Sequence, residues 1–356
     1  MRESPARSPL AEEALPEVSG TERRQLMGER LVAVRKLTRA AGGRAALLDR
    51  RRDIAWLTVG AQHHVVLASE AAVAPLLVTA DSCYALAPVN EAARIADEEL
   101  AGLPVEVVSL PWHEPTAVAS KARRLGDGAV LSADELGQHL LAVRSRLAPP
   151  EHDRMRWLAR QLDARMSATL RTLAANMTED DVAAAMAAEL VRSGVHVPVL
   201  LVAADERIER YRHPLPQGRP VKRRLMLVAV AERWGLHVAA TRFRELEPPA
   251  PDLQARIGAC AEILAAMRAA TRPGRTMGEV MAAAIAAYGR SGFPDEWRLH
   301  HQGGSIGYAG RERIATPDDA TTIHVDMAFA WNPSIRGAKA EATDLLRDDG
   351  LETLIG

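Results

Sequence analysis

Two histidines stand side by side at the head of a glycine-rich phrase, His300-His301-Gln302-Gly303-Gly304-Ser305-Ile306-Gly307-Tyr308. Imidazole nitrogens offer a donor, an acceptor or a metal ligand near neutral pH, and glycine lets backbone approach a bound group closely. Downstream, Ala330-Trp331-Asn332-Pro333-Ser334-Ile335 joins an apolar strand to an Asn-Pro turn, and Gly337-Ala338-Lys339-Ala340-Glu341 returns with one carboxylate. The two pieces read as a hairpin lining a pocket. Because neighbours on a strand face opposite ways, one of His300 and His301 is expected to face that pocket and the other the helices behind it. On that reasoning they are not expected to chelate one ion together.

Other residue types gather around the same stretch. Trp297, Tyr308 and Trp331 fall within it although aromatic residues make up only 4% of the chain, so they are either pocket walls or core. Arg242 and Arg311 can clamp a substrate carboxylate through a guanidinium fork, or form internal ion pairs with Glu312 or Glu341. Gly303 and Gly304 either present backbone amides to a carboxylate or oxyanion, or mark tight packing. Tyr211, Gln302 and Asn332 complete the expected substrate-binding set.

The rest of the chain must position these groups. At 356 residues it should divide into two domains, since single cores stop growing at roughly 250–300 residues. Hydrophobic residues at 47% and charged residues at 26% are the mixture of a globular protein. Lys plus Arg at 45 against Asp plus Glu at 46 gives no global field, which argues against nucleic acid and anionic membranes as partners. Two distant cysteines, Cys83 and Cys260, support neither a disulfide framework nor a thiolate zinc site. No apolar run reaches the roughly 18 residues of a membrane span. Residues 1–22 carry charges and prolines and read as a frayed leader rather than a signal peptide. A cytoplasmic protein is the expectation.

Apolar spacing predicts a helix over 21–41, ended by Gly42-Gly43, then short strands at 45–48, 54–57, 64–67 and 76–78. A helix at 90–100, a strand at 105–110 and a helix at 134–147 complete an α/β domain over 23–150. Pro149-Pro150 reads as a linker. A second domain over 151–356 opens on a long helix. Next come a helix capped by Thr178, strands at 197–203 and 225–231, two more helices, and the hairpin, suggesting a curved antiparallel sheet with helices outside.

That order of elements, with Tyr211-Arg212-His213-Pro214, Gly235-Leu236, Thr241-Arg242, Gly303-Gly304-Ser305-Ile306-Gly307, Asn332-Pro333 and the Gly337-to-Thr343 phrase, resembles the pita-bread family of aminopeptidase P, prolidase, methionine aminopeptidase and creatinase. The resemblance implies an α/β (α+β) fold: a creatinase-like N-terminal domain followed by a pita-bread domain, pairing as a homodimer. Peptidases of that family hold two divalent metals with two aspartates, one histidine and two glutamates. Matched to those motifs, this sequence carries Val228 or Ala229 at the first aspartate, Ala239 at the second, Gly304 at the histidine and Asn332 at the first glutamate. Only Glu341 matches, and one carboxylate does not hold two ions. No metal site and no cofactor are therefore expected.

Creatinase supplies a metal-free precedent within the family. The resemblance then implies His213 as general acid/base, with Glu341, His300 and His301 as further catalytic candidates, acting on a C–N or related bond of a small amino-acid-like molecule or short peptide. A metal-dependent Xaa-Pro aminopeptidase and a non-catalytic peptide- or protein-binding pseudo-peptidase are the alternatives.

Overall fold

Ser19 accepts from the Glu22 amide at 3.2 Å and so starts α1 (Gly20–Ala40), which the left-handed Gly42 then terminates. The computed structural model describes residues 13–174 and 177–356. The first twelve residues of the expected leader lie outside them. Within the remainder, Glu13 already packs on the second half of the chain, its carboxylate 2.5 Å from Arg160.

The first half is a five-stranded mixed sheet in the order β4-β3-β2-β1-β5. Its strands are β1 (Ala45–Arg50), β2 (Ala71–Val78), β3 (Cys83–Pro88), β4 (Glu106–Leu110) and β5 (Val130–Ser132). Packed around it are α2 (Arg51–Thr58), α3 (Ala92–Arg94, running on as a π-turn), α4 (Ala117–Leu125) and α5 (Ala133–Arg144). Two strands expected from apolar runs are absent. Residues 54–57 lie inside α2, buried on all sides, where a run of four apolar residues carries no period that separates strand from helix. Residues 64–67 form an irregular turn with Val65 and Val66 exposed.

Pro149-Pro150 is not a linker but the start of α6 (Pro149–Arg171), where a missing N–H costs nothing and the proline φ suits the first turn. The remaining helices are α7 (Glu179–Arg192), α8 (Glu206–Arg210), α9 (Pro251–Ala270) and α10 (Met277–Arg290). Thr178 caps α7 in a reciprocal box with Asp181. One sheet pairs β6 (His196–Ala204), β7 (Arg224–Arg233) and β8 (Leu236–Glu245). The other runs β10-β9-β11-β14-β15: β9 (Gly303–Ile306), β10 (Arg313–Ile314), β11 (Ala328–Trp331), β14 (Ala342–Arg347) and β15 (Gly350–Ile355). Between β11 and β14 sits the hairpin read from the sequence, β12 (Ser334–Ile335) and β13 (Ala338–Lys339), turning at Gly337 with φ +78°. The two sheets are stitched where Thr343 Oγ1 donates to the Ala239 carbonyl at 2.8 Å and accepts from its amide at 3.0 Å.

Buried ion pairs hold the two halves together. Arg144 on α5 reaches Glu312 at 2.6 Å as well as Asp53 on α2, and Arg30 on α1 reaches Glu151 on α6 at 2.6 Å. Cys83 and Cys260 are free and buried, and burial pushes both thiols up to about 12. Among the described residues, no helix is long and apolar enough to cross a membrane.

Asp344 on β14 is fully buried, with Arg268 on α9 2.9 Å from Oδ1. Burial pushes it up to about 6 from an ordinary 3.8, against the pull of Arg268. A carboxyl whose folded pKa is raised stabilises most when protonated, so its contribution is full below about pH 4 and lost as pH rises through about 6. Two pH units correspond to about 3 kcal/mol. Denaturant melts of wild type minus Asp344→Asn should therefore fall by up to about 3 kcal/mol between pH 4 and pH 6. A flat difference would refute it.

Candidate functional site

On β8, the Thr241 hydroxyl donates to Glu341 at 2.5 Å. Opposite Thr241 in the ladder stands Val228, and opposite Ala239 stands Val230; cross-strand partners share a face. Of the two positions that the resemblance offers for the first aspartate, Val228 shares the face of Ala239, whereas Ala229 pairs with Ala240 on the other side. Val228 packs with Leu201, Ala203, Ile208 and Met226 in an apolar cluster.

Glu341 is 5% exposed and closely held. Besides Thr241, Lys339 stands 3.0 Å from Oε2 and Arg311 3.1 Å from Oε1. Burial pushes its carboxyl up, but Lys339, Arg311 and Thr241 outweigh that and hold it at about 2. Lys339 is a member of the site that the sequence did not single out; its position two residues before Glu341 in an extended stretch is the signal that it shares the carboxylate's side. The cluster carries two cations against one anion.

Above it the three histidines meet. His213 Nε2 and His300 Nε2 are 3.0 Å apart, and the His300 and His301 rings stack with centroids 4.4 Å apart. One ring nitrogen from each of the three lies within 4.8 Å of the others. The expectation that His300 and His301 face opposite ways is corrected here. Both precede β9 in an irregular bend, so strand alternation does not apply to them. Gln302 makes that bend: fully buried, it accepts from Tyr288 Oη at 2.6 Å and donates to the carbonyls of Trp297 (3.1 Å) and His300. Burial first, then His301 and Lys339, pushes His300 down to about 2; burial first, then Arg311 and His213, pushes His301 down to about 4. Burial and Lys339 also lower His213. Each of these shifts favours the uncharged ring.

His213 follows α8 on an exposed segment pinned from behind. Arg212 pairs with Glu296, which also accepts from the Arg336 amide at the hairpin tip at 3.2 Å. On the role proposed for His213 below, Glu296→Ala should free that segment and lower turnover by about tenfold or more, since small displacements of a working group are costly. The pair is partly solvated, so melting should change little; kcat alongside a thermal melt separates the two effects.

Several expected substrate contacts lie elsewhere. Tyr308 is buried where the two halves meet, its hydroxyl donating to Glu151. Trp331 stacks on Phe329 in the core and donates to Thr271 Oγ1 at 3.0 Å. Arg242 points away from Thr241's face to Asp163, 2.8 Å off. Tyr211 is exposed beside Arg207 and Arg210, and Trp297 lies against Arg298. Glu312 belongs to Arg144. Gly303 gives its amide to His301 Nδ1 at 3.2 Å, and Gly304 sits between β10 and β11. Neither offers the pair of free amides considered above. Asn332 is 2% exposed and its Oδ1 has no hydrogen-bond partner.

Residues 153–348 match the model of metallopeptidase family M24. The chain belongs to that family. No curated protein matches it significantly in sequence. Among solved structures it is similar to the dipeptidase PepE of Mycobacterium ulcerans (TM-score 0.74, 18% identity, 94% of this chain and 96% of that one). It is also similar to the prolidase of Pyrococcus horikoshii OT3 (TM-score 0.75, 16% identity, 92% and 98%). The N-terminal domain of the FACT complex subunit SPT16 from chickpea superposes nearly as well (TM-score 0.70, 9% identity, 95% and 97%). Such identities speak for the fold alone, a hydrolase-type fold related to prolidases, and fold does not settle function.

The ligand set that the resemblance assigns to M24 peptidases can be tested on this chain. Val228 and Ala239 offer no lone pair. A Cβ at Gly304 would lie 2.0 Å from the Arg313 carbonyl oxygen, leaving no room for a side chain. Glu341 is already engaged by Lys339, Arg311 and Thr241. These residues do not fit a dinuclear centre.

Proposed function

We propose that this M24 chain is a hydrolase-type enzyme that works without the dinuclear centre, cleaving a C–N bond of a small, carboxylate-bearing, amino-acid-like substrate. The observation that carries this reading is the His213–His300 pair, 3.0 Å apart, set above Glu341, Lys339 and Arg311. The surplus cation, with the Arg311 Nε left without a hydrogen-bond partner, suits a substrate carboxylate. His213, neutral and exposed, takes a proton from attacking water as the C–O bond forms and returns it to the departing nitrogen as the C–N bond breaks. His300, its Nδ1 3.4 Å from Ser334 Oγ, orients that ring. A cytoplasmic homodimer goes with the resemblance; sedimentation checks the dimer.

The test is a panel of N-substituted amino acids and Xaa-Pro dipeptides offered to exhaustively chelated protein. Turnover should survive chelation and fall about 100-fold or more in His213→Gln. Activity that vanished on chelation and returned with manganese or cobalt would favour the metallo-aminopeptidase reading. Full activity in His213→Gln would end the proposal.

A further inference from the structure

We propose that His213, His300 and His301 form a site for one divalent transition-metal ion, separate from the family's carboxylate-bridged pair. Two nitrogens bound to one tetrahedral ion at about 2.0–2.1 Å stand about 3.3 Å from each other. His213 Nε2 and His300 Nε2, at 3.0 Å, are already near that spacing. The third ring lies within 4.8 Å of both, so a small inward rotation of His301 closes the triangle. Nitrogen-only ligation selects ions of the zinc, cobalt or nickel kind over magnesium or calcium, which take oxygen.

The surroundings support ligation rather than mere crowding. Ser334 Oγ lies 3.4 Å from His300 Nδ1, the outer partner that fixes which nitrogen faces the ion. A neutral imidazole carries one N–H, so an ion held by Nε2 of both rings sends the proton shared between His213 and His300 to the outer Nδ1 of the ring that carried it, where on His300 it is donated to Ser334 Oγ. His301 gives up its 3.2 Å bond from the Gly303 amide either way: through Nδ1 the accepting lone pair goes to the ion, and through Nε2 the ring proton moves from Nε2 to Nδ1. Lys339 and Arg311 beside the cluster disfavour a bare dication, so the fourth position takes an anion: hydroxide, or the carboxylate of a small molecule. Exposed His213 leaves the entry path open. On the reading of the preceding subsection, which this consequence alone rests on, a bound ion withdraws His213 from proton transfer and silences turnover.

The experiment titrates cobalt(II) into the chelator-treated full chain at neutral pH and follows the visible ligand-field bands. One saturable equivalent with tetrahedral intensity is expected. Affinity should fall by about 100-fold or more in His213→Ala and in His301→Ala. It should stay unchanged in His139→Ala, an exposed histidine outside the cluster, with thermal melts confirming that each variant is folded. Bands absent from the wild type, or persisting at full strength in both cluster variants, would overturn the site. The enzymatic reading fails separately: turnover that required cobalt would refute metal-independent catalysis while leaving the three-imidazole site standing.

Discussion

Glu341→Gln is expected to lower the melting temperature by about 10 °C and to leave no measurable turnover. The carboxylate is buried, and two cations depend on it: the Lys339 side chain is 7% exposed and that of Arg311 16%. An amide of the same shape keeps the Thr241 hydrogen bond but leaves both cations without their counter-charge. Removing one partner of a buried pair costs about 3–5 kcal/mol, because the remaining charge is stranded. Each kcal/mol is worth about 2–4 °C in a domain of roughly 200 residues. The double variant Glu341→Gln with Lys339→Met should recover part of the loss, since only Arg311 then stays uncompensated; that recovery is the coupling between the two sites. Surface charges would give neither result. A Glu341→Gln protein melting within about 1 °C of wild type would mean that water reaches this cluster and that the carboxylate organises nothing.

Why this carboxylate could be singled out from the sequence, and its neighbours only partly, is a matter of range. The order of short phrases from Tyr211 to Thr343 carried the fold, because each phrase is a turn or a strand end whose residue types are set locally. The hairpin around Gly337 and the Thr178 cap were legible for the same reason. Tyr308 and Trp331 were not, since what decides their environment lies far away in the chain: Glu151 for the first, Thr271 and Phe329 for the second. Nothing near Tyr308 says that it closes a seam between two halves. His300 and His301 misled in another way. The period-2 rule holds inside a ladder, and Gln302, by turning its side chain inward onto the His300 and Trp297 carbonyls, ends the ladder one residue before β9 begins. A buried glutamine is rare enough that its partners must be seen before its role can be read.

Gly304→His, which puts an imidazole at the position that the resemblance assigns to the family's histidine, should destabilise the protein by more than about 4 kcal/mol and restore no metal pair. In this chain β10 lies directly against that position: Gly304 pairs with Ile314, and a Cβ would meet the Arg313 oxygen at 2.0 Å and the Ala315 nitrogen at 3.1 Å. Both are backbone atoms, so no rotamer change relieves the overlap, and β10 must leave β9. Gly307→Ala is the matched control, because its nearest neighbour would be the Glu312 carboxylate at an ordinary 3.7 Å; it should melt close to wild type. Elemental analysis of whatever Gly304→His protein stays soluble should find no gain of a second ion, as Val228, Ala239 and Asn332 still supply no carboxylate. If the variant instead folded normally and bound two ions per chain, β10 would be a strand that yields to a ligand. The missing carboxylates at Val228, Ala239 and Asn332 would then be no bar to a metal pair, and the reading of a site rebuilt around three imidazoles and a paired carboxylate would fall.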